Sequence, residues 1–258
     1  MAESVQGSVQ DGLQDGLIPA AEAARRATAG RAANGVRYGA FGENLLDGGD
    51  IERMVQAVPA AVAGALASKT YLFVPLALSQ SRGSEATMVA PAYTPELSDR
   101  AICHRNVALG DTEAVFISTR LLGDRFALAF EFFINVSHAF VDAAGVPEEF
   151  NRLAWAQAVA DVRGETSQDA WENRGAAQAG SKGAIDEKAR SSYLESAFSD
   201  AIAIYQLSLA VDFDYSELRE REYPLLAPDA LAERLRLAAK LFPANAGYEF
   251  SIRYRRRA

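Results

Sequence analysis

The chain holds one cysteine, and it stands beside one of only two histidines in the run Asp99-Arg-Ala-Ile-Cys103-His104-Arg105-Asn106. A thiol becomes a nucleophile when a nearby base or positive charge makes it a thiolate. Sequence neighbours do not supply that contact. On a strand Cys103 and His104 point to opposite faces, and on a helix they stand about 100° apart. A Cys–His dyad therefore needs folding to bring Cys103 to the other histidine, His138. The plainer reading makes Cys103 a small buried apolar side chain and gives His104 and Arg105 local hydrogen bonds.

His138 lies in Phe133-Ile-Asn-Val-Ser-His138-Ala-Phe-Val-Asp142. If this run turns helical, His138 and Asp142 share a face one turn apart, where the carboxylate can orient the imidazole or join it as a metal ligand. A zinc site has to recruit His104 and His138 together with a carboxylate such as Asp142 or Asp99. No HExxH or CxxC spacing backs it. A turn or helix start is the simpler role for these residues.

A third constellation rests on a hairpin expected over 113–122 and 125–136. Val115, Ile117, Thr119 and Leu121 alternate on one side, as do Phe126, Leu128, Phe130, Phe132, Ile134 and Val136, with Gly123-Asp124 between them. A Gly-Asp pair between two period-two runs is a two-residue turn signature. The opposite face then carries Arg120, Arg125, Glu131 and Asn135. Glu131 lies between Ala129 and Phe133, and if that face is covered it is a partly desolvated carboxylate. Burial raises the pKa of such a group and a nearby arginine lowers it. Glu131 and Asn135 sit about 13 Å apart at ~3.3 Å per residue, so they can line one cleft without sharing one atom. The alternative is an ion pair of Glu131 with Arg120 or another arginine.

The tail Arg253-Tyr254-Arg255-Arg256-Arg257 could grip phosphates and stack a base. The plainer role is a solvated edge that blocks aggregation. Arg163–Arg174 packs charges around Trp171, as a solvated short helix or as a partner-binding loop. Nothing resembles a P-loop, a dinucleotide-binding glycine cluster or a nucleophile elbow, and no cofactor is expected.

Composition bounds these readings. The 258 residues carry 26 Lys+Arg and 34 Asp+Glu, a formal net charge of −8, with 49% hydrophobic residues. That is globular composition with length enough for a core. Net negative charge disfavours wholesale nucleic-acid binding. One cysteine excludes a disulfide framework. The start, MAESVQGSVQDGLQDG, lacks the basic and apolar regions of a signal peptide. The apolar runs Thr70–Leu78 and Ala57–Ala67 fall short of the roughly 18 residues a membrane span requires. A soluble, cytoplasmic protein without a membrane partner is expected.

The elements that must position the candidates follow from periodicity and punctuation. Residues 1–16 read as a flexible arm and 17–258 as a single α+β domain. Helices are expected over Pro19–Asn34, from Ile51 to Leu66 with a break at Pro59, from Pro147 to about Val162, over Thr166–Arg174, over Ile185–Ile204 and over Pro228–Leu241. Strands are expected at Tyr71–Leu78, with Ala86–Tyr93 returning beside it, in the hairpin and at Tyr248–Tyr254, while Tyr205–Tyr215 reads as a half-exposed strand or as a continuation of the preceding helix. The fold class is α+β, a mainly antiparallel sheet covered by helices.

Three functions follow. The first is a binding or assembly protein that self-associates, with a further protein partner also compatible. The second is a hydrolase using His104 and His138 with a carboxylate, with or without metal, or Cys103 with a histidine. The third is an RNA-associated protein using the Arg/Tyr tail.

Overall fold

Tyr71, Leu72, Phe73 and Val74 are consecutive and all buried, the pattern of a strand covered on both faces. They lie in the middle of a five-stranded sheet in the computed structural model, which describes residues 16–79, 87–179, 185–218 and 222–252. In chain order the strands are β1 (Ile18–Pro19), β2 (Thr28–Arg31), β3 (Arg37–Ala40), β4 (Lys69–Val74), β5 (Leu76–Ser79), β6 (Thr87–Ala90), β7 (Ala101–Ile102), β8 (His104–Leu109) and β9 (Thr112–Ser118). The helices are α1 (Ala20–Arg26), α2 (Gly48–Gln56), α3 (Ala60–Gly64), α4 (Pro95–Ser98), α5 (Arg125–Ala144), α6 (Glu148–Val159), α7 (Gln168–Gln178), α8 (Glu187–Ala210) and α9 (Pro228–Leu241).

This is an α+β fold. Where one mainly antiparallel sheet is expected, the described residues form two. The first, in the order β1-β6-β5-β7, is antiparallel. The second, in the order β2-β3-β4-β9-β8, is mixed: β4 pairs in parallel with β3 and β9, and the edge strands β2 and β8 are antiparallel to their neighbours. The chain divides into two compact units. One comprises residues up to 56 with 67–131, the other 57–66 with 132 onward. The arm expected over 1–16 lies, except for Gly16, outside the described residues.

In the sheet unit, Leu72, Val74, Ala77, Val89 and Phe116 form one core cluster, and Leu76, Leu78, Ala90 and Leu97 a second. Ser118 ties the two sheets together. Its Oγ accepts from Ala77 N at 2.8 Å and donates to Ile102 O at 2.5 Å. The pairing expected between Tyr71–Leu78 and Ala86–Tyr93 is present as β5–β6, and Pro59 separates α2 from α3 as expected.

The hairpin expected over 113–122 and 125–136 does not form, because residues 125–144 are the helix α5. Gly123-Asp124 is a helix start: the Asp124 carboxylate accepts from Ala127 N at 2.7 Å, an N-cap bond. The hairpin partner of β9 is instead β8, closed by a different Gly-Asp pair, Gly110-Asp111. Leu109 faces Thr112 across Gly110-Asp111, and Gly110 has φ +65°. The period-two reading of 126–136 failed because the intervening residues include Ala127, Ala129 and Phe133, so the run is apolar nearly all round and fits a buried helix equally well. As a helix, α5 is also long and apolar enough to cross a membrane. An 18-residue window has mean hydropathy 1.3, and 50% of that window is buried in the protein.

Two further segments are resolved: 205–215, which the alternation left between strand and helix, and 248–254, expected as a strand. Tyr205–Tyr215 begins as a continuation of α8 to Ala210, since the polar Gln206, expected to face solvent, is buried and donates to Ser137 Oγ at 3.0 Å. Over 248–252 the chain forms no strand; Phe250 packs edge-on against the Tyr205 ring, centroids 5.3 Å apart.

The helical unit is arranged around Glu165, which is fully buried. Its carboxylate accepts from Arg234 Nη1 at 2.9 Å, Arg174 Nη1 at 3.2 Å and the Tyr193 hydroxyl at 2.9 Å. Arg234 also donates through Nε to Gln157 Oε1 at 2.8 Å. Burial alone lowers the Arg234 pKa, and the Glu165 charge beside it raises the net value. Gly164 (φ +81°) admits this segment: a Cβ there would lie 2.3 Å from the carbonyl oxygens of Pro224 and Leu225. That approach lets Glu165 N donate to Pro224 O at 3.0 Å. Around the network, Phe198 packs on Phe140, Phe150 and Phe242 with centroids 4.8–6.3 Å apart.

Two predictions follow from this packing. Glu165→Gln keeps the side-chain shape but leaves two guanidinium charges buried without a counter-charge. It should destabilise the helical unit by about 3 kcal/mol or more in urea titration; a loss below about 1 kcal/mol would show that the charge is not needed. Asp200 gives the second. Burial pushes its carboxyl up to about 6, against hydrogen bonds from Ser167 and Thr166 that pull it down. A carboxyl raised on folding adds stability as pH falls through the folded pKa, so the unit should gain stability from about pH 7.5 to about pH 5. Asp200→Asn should be more stable at the higher pH and flatten that gain. Matching urea midpoint profiles for the variant and the parent would refute this.

Candidate functional site

β8 is an edge strand, and its first residue, His104, is paired in register with Ile117. The His104 imidazole reaches across to α5, where Nδ1 lies 2.5 Å from Glu131 Oε1. The His104 side chain is 45% exposed and that of Glu131 17%. The partner of Glu131 in this contact is therefore a histidine where an arginine is expected. A carboxylate on Nδ1 leaves Nε2 as the nitrogen that can exchange a proton with a substrate.

Cys103 sits between β7 and β8 and is exposed, unlike the buried apolar side chain of the plainer reading. Partial burial of the thiol, and then the charge of Glu131, push its pKa up. Three of the four catalytic candidates, Cys103, His104 and Glu131, are thus neighbours. Both effects disfavour the thiolate, the opposite of what a thiolate nucleophile needs.

The remaining candidates lie elsewhere. His138 and Asp142 are one turn apart on α5, both exposed, and belong to the helical unit. Among the described residues no group of three His, Cys, Asp or Glu side chains is placed to hold a metal ion, so His104, His138 and Asp142 do not assemble as a site. Arg120 lies over the Tyr93 ring, 5.6 Å from its centroid. Arg125 opens α5 and is ion-paired with Asp50. Asn135 follows Glu131 by one turn of α5, about 6 Å along the axis rather than 13 Å along a strand. The shared strand face of Arg120, Arg125, Glu131 and Asn135 does not exist. Arg253, Tyr254, Arg255, Arg256 and Arg257 lie outside the described residues.

The helical unit presents a different site. α6 and α8 pack antiparallel, as the ring pairs Phe150–Phe198 (4.8 Å) and Trp155–Tyr193 (6.2 Å) show. Between them lies a cleft of about 530 Å³ lined by Asn151, Arg152, Trp155 and Val159 from α6 and by Arg190 and Leu194 from α8, among others. The Arg190 guanidinium stacks on Trp155, 4.8 Å from its centroid. Asn151 Oδ1 and Arg190 Nε are buried without a hydrogen-bond partner. Such atoms are rare, because each costs about 1–3 kcal/mol. Val159 is 65% exposed at one end.

No family model, curated protein or solved structure matches the chain.

Sequence reasoning did not find this cleft. Its signal is faint: Glu148, Arg152, Trp155 and Val159 fall at i, i+4, i+7 and i+11, a single helix face mixing charge with large apolar groups where a buried face would be uniformly apolar. The other wall comes from a helix some forty residues later, and nothing in the spacing links them. The Trp171 run was singled out as a candidate instead. Trp171 is 39% exposed, and its neighbour Arg174 turns inward to Glu165.

The thiol assignment yields a test. Removing the charge in Glu131→Gln should lower the Cys103 pKa and speed its alkylation by iodoacetamide at about pH 8, while the burial contribution keeps the thiol above its ordinary value. An unchanged rate would separate Cys103 from Glu131.

Proposed function

We propose that this is a soluble, cytoplasmic binding protein whose recognition surface is the cleft between α6 and α8. The observation that carries this reading is the combination in one cleft of an aromatic face, Trp155, with two buried polar atoms that lack partners, on Asn151 and Arg190. Concave sites with apolar walls and a few convergent polar groups are where ligands bind, and Trp and Arg are the residues that most often dominate binding energy. Self-association fits the same protein: β2, an edge of the mixed sheet, is exposed at all four residues, a rim open to another strand.

The His104–Glu131 contact favours a second reading, a hydrolase in which His104 is the general base. The disfavoured Cys103 thiolate counts against the version of it that uses one.

Native mass spectrometry of the untagged chain, purified without chelator, separates the two readings. Under the binding reading the wild type carries added ligand mass on each subunit, whatever its subunit number. His104→Ala should keep that mass and Trp155→Ala/Arg190→Ala should lose it while retaining the wild-type far-ultraviolet circular dichroism. Mass lost on His104→Ala alone would hand the site to the hydrolase. A wild type with no added ligand mass would overturn the cleft as the recognition surface, and a monomer would overturn self-association.

A further inference from the structure

The charges along the cleft say more about its occupant, on the reading that the cleft is the recognition surface. Two glutamates, Glu148 and Glu187, and two arginines, Arg152 and Arg190, line it. A purely anionic ligand would meet the glutamates and a purely cationic one the arginines, whereas a ligand bearing both charges satisfies both. Glu148 and Arg152 are one turn apart on α6, yet neither forms an ion pair among the described residues. Arg190 gives one terminal nitrogen to Glu187 at 3.1 Å and keeps its Nε without a partner. Asn151 Oδ1 adds an acceptor to that donor. A small turn of either side chain toward the cleft pairs it with an amide N–H or C=O, the donor and acceptor that every peptide unit carries. Trp155, Leu194 and Val159 give apolar side chains a surface.

The length of the cleft sets the size of the ligand. Glu148 and Val159 are three turns apart, about 16 Å along α6, and an extended chain advances ~3.3 Å per residue, so about four or five residues span it.

We propose that the cleft binds a short peptide with both termini free, its carboxylate on Arg152, its ammonium group on Glu187, and apolar side chains against Trp155 and Leu194. Because α8 runs antiparallel to α6, Arg152 and Glu187 lie on opposite walls, on either side of the Trp155 ring.

The test uses the full chain carrying Trp171→Phe, which leaves Trp155 as its sole tryptophan. Its fluorescence is titrated with a tetrapeptide of two central alanines between leucines, in free, N-acetylated, C-amidated and doubly blocked forms. Blocking either end should weaken binding about tenfold, the worth of one charge-assisted contact. Arg152→Ala should weaken the free acid about tenfold and leave the C-amide unchanged; Glu187→Gln should weaken the free amine similarly and leave the N-acetyl form unchanged. Equal binding of the free and doubly blocked forms would overturn the assignment of the termini while leaving the cleft as a binding surface. No Trp155 response to any form, with a cleft-dependent mass in the native spectrum, would overturn the peptide occupant alone.

Discussion

The helical unit depends on one carboxylate. Glu165 sits on the segment between α6 and α7, and the groups that meet it or its partners come from four different helices: Gln157 from α6, Arg174 from α7, Tyr193 from α8 and Arg234 from α9. Removing charges from water costs several kcal/mol per ion, and well-packed apolar side chains in their place are often as stable or more so. The network is therefore weak as an account of total stability and strong as an account of geometry. Apolar contacts between helices tolerate sliding and rotation. A carboxylate shared by two guanidinium groups and a hydroxyl tolerates neither, because any displacement leaves a buried charge short of a partner.

The sheet unit meets a comparable demand with backbone alone. A parallel centre requires both faces to be covered, and the residues of β4 from Tyr71 to Val74 and of β9 from Ala114 to Ser118 are buried without alternation. The antiparallel strands are left to the rims. β8 is one such rim, and its position makes His104 accessible: the strand that carries it has only one neighbour, so its first residue reaches an α5 side chain instead of a second strand.

What could be read from the sequence divides along the same line. Elements announced by local chemistry were legible: the Pro59 break, the helix opening at Pro147, the amphipathic helix over 228–241 and the pairing of Leu76–Ser79 with Thr87–Ala90. Elements decided by burial on every side were not. The stretch 126–136 and the turn at Tyr205 both alternate in sequence, but their polar positions are too few or are buried, so a period of two carried no information about exposure. Gly110-Asp111 carries the same dipeptide as Gly123-Asp124, and only tertiary pairing distinguishes the hairpin at Gly110 from the helix cap at Asp124. Glu165 and Arg174 fall in the run 163–174, read as a solvated short helix or a partner-binding loop, and nothing local marks them or Arg234 for burial. Of the site, the reactive residue types were visible and one pairing, His104 with Glu131, was supplied by the fold.

That pairing limits its own chemistry. The carboxylate that orients His104 is also the one that disfavours a Cys103 thiolate, so the two residues cannot both be activated by it. The cleft has the opposite character. Trp155 is two residues from Gln157 on α6, Leu194 is next to Tyr193 on α8, and the Tyr193 ring stands edge-on to Trp155. The inward-facing members of each helix are thus tied to Arg234 or Glu165, while the outward-facing members line the cleft. A network that fixes the rotation and spacing of α6 and α8 necessarily fixes the separation of the two walls. The buried ions, costly as stabilisers, fix the two walls of the cleft, and on the proposed reading such pre-organisation reduces the ordering cost of binding.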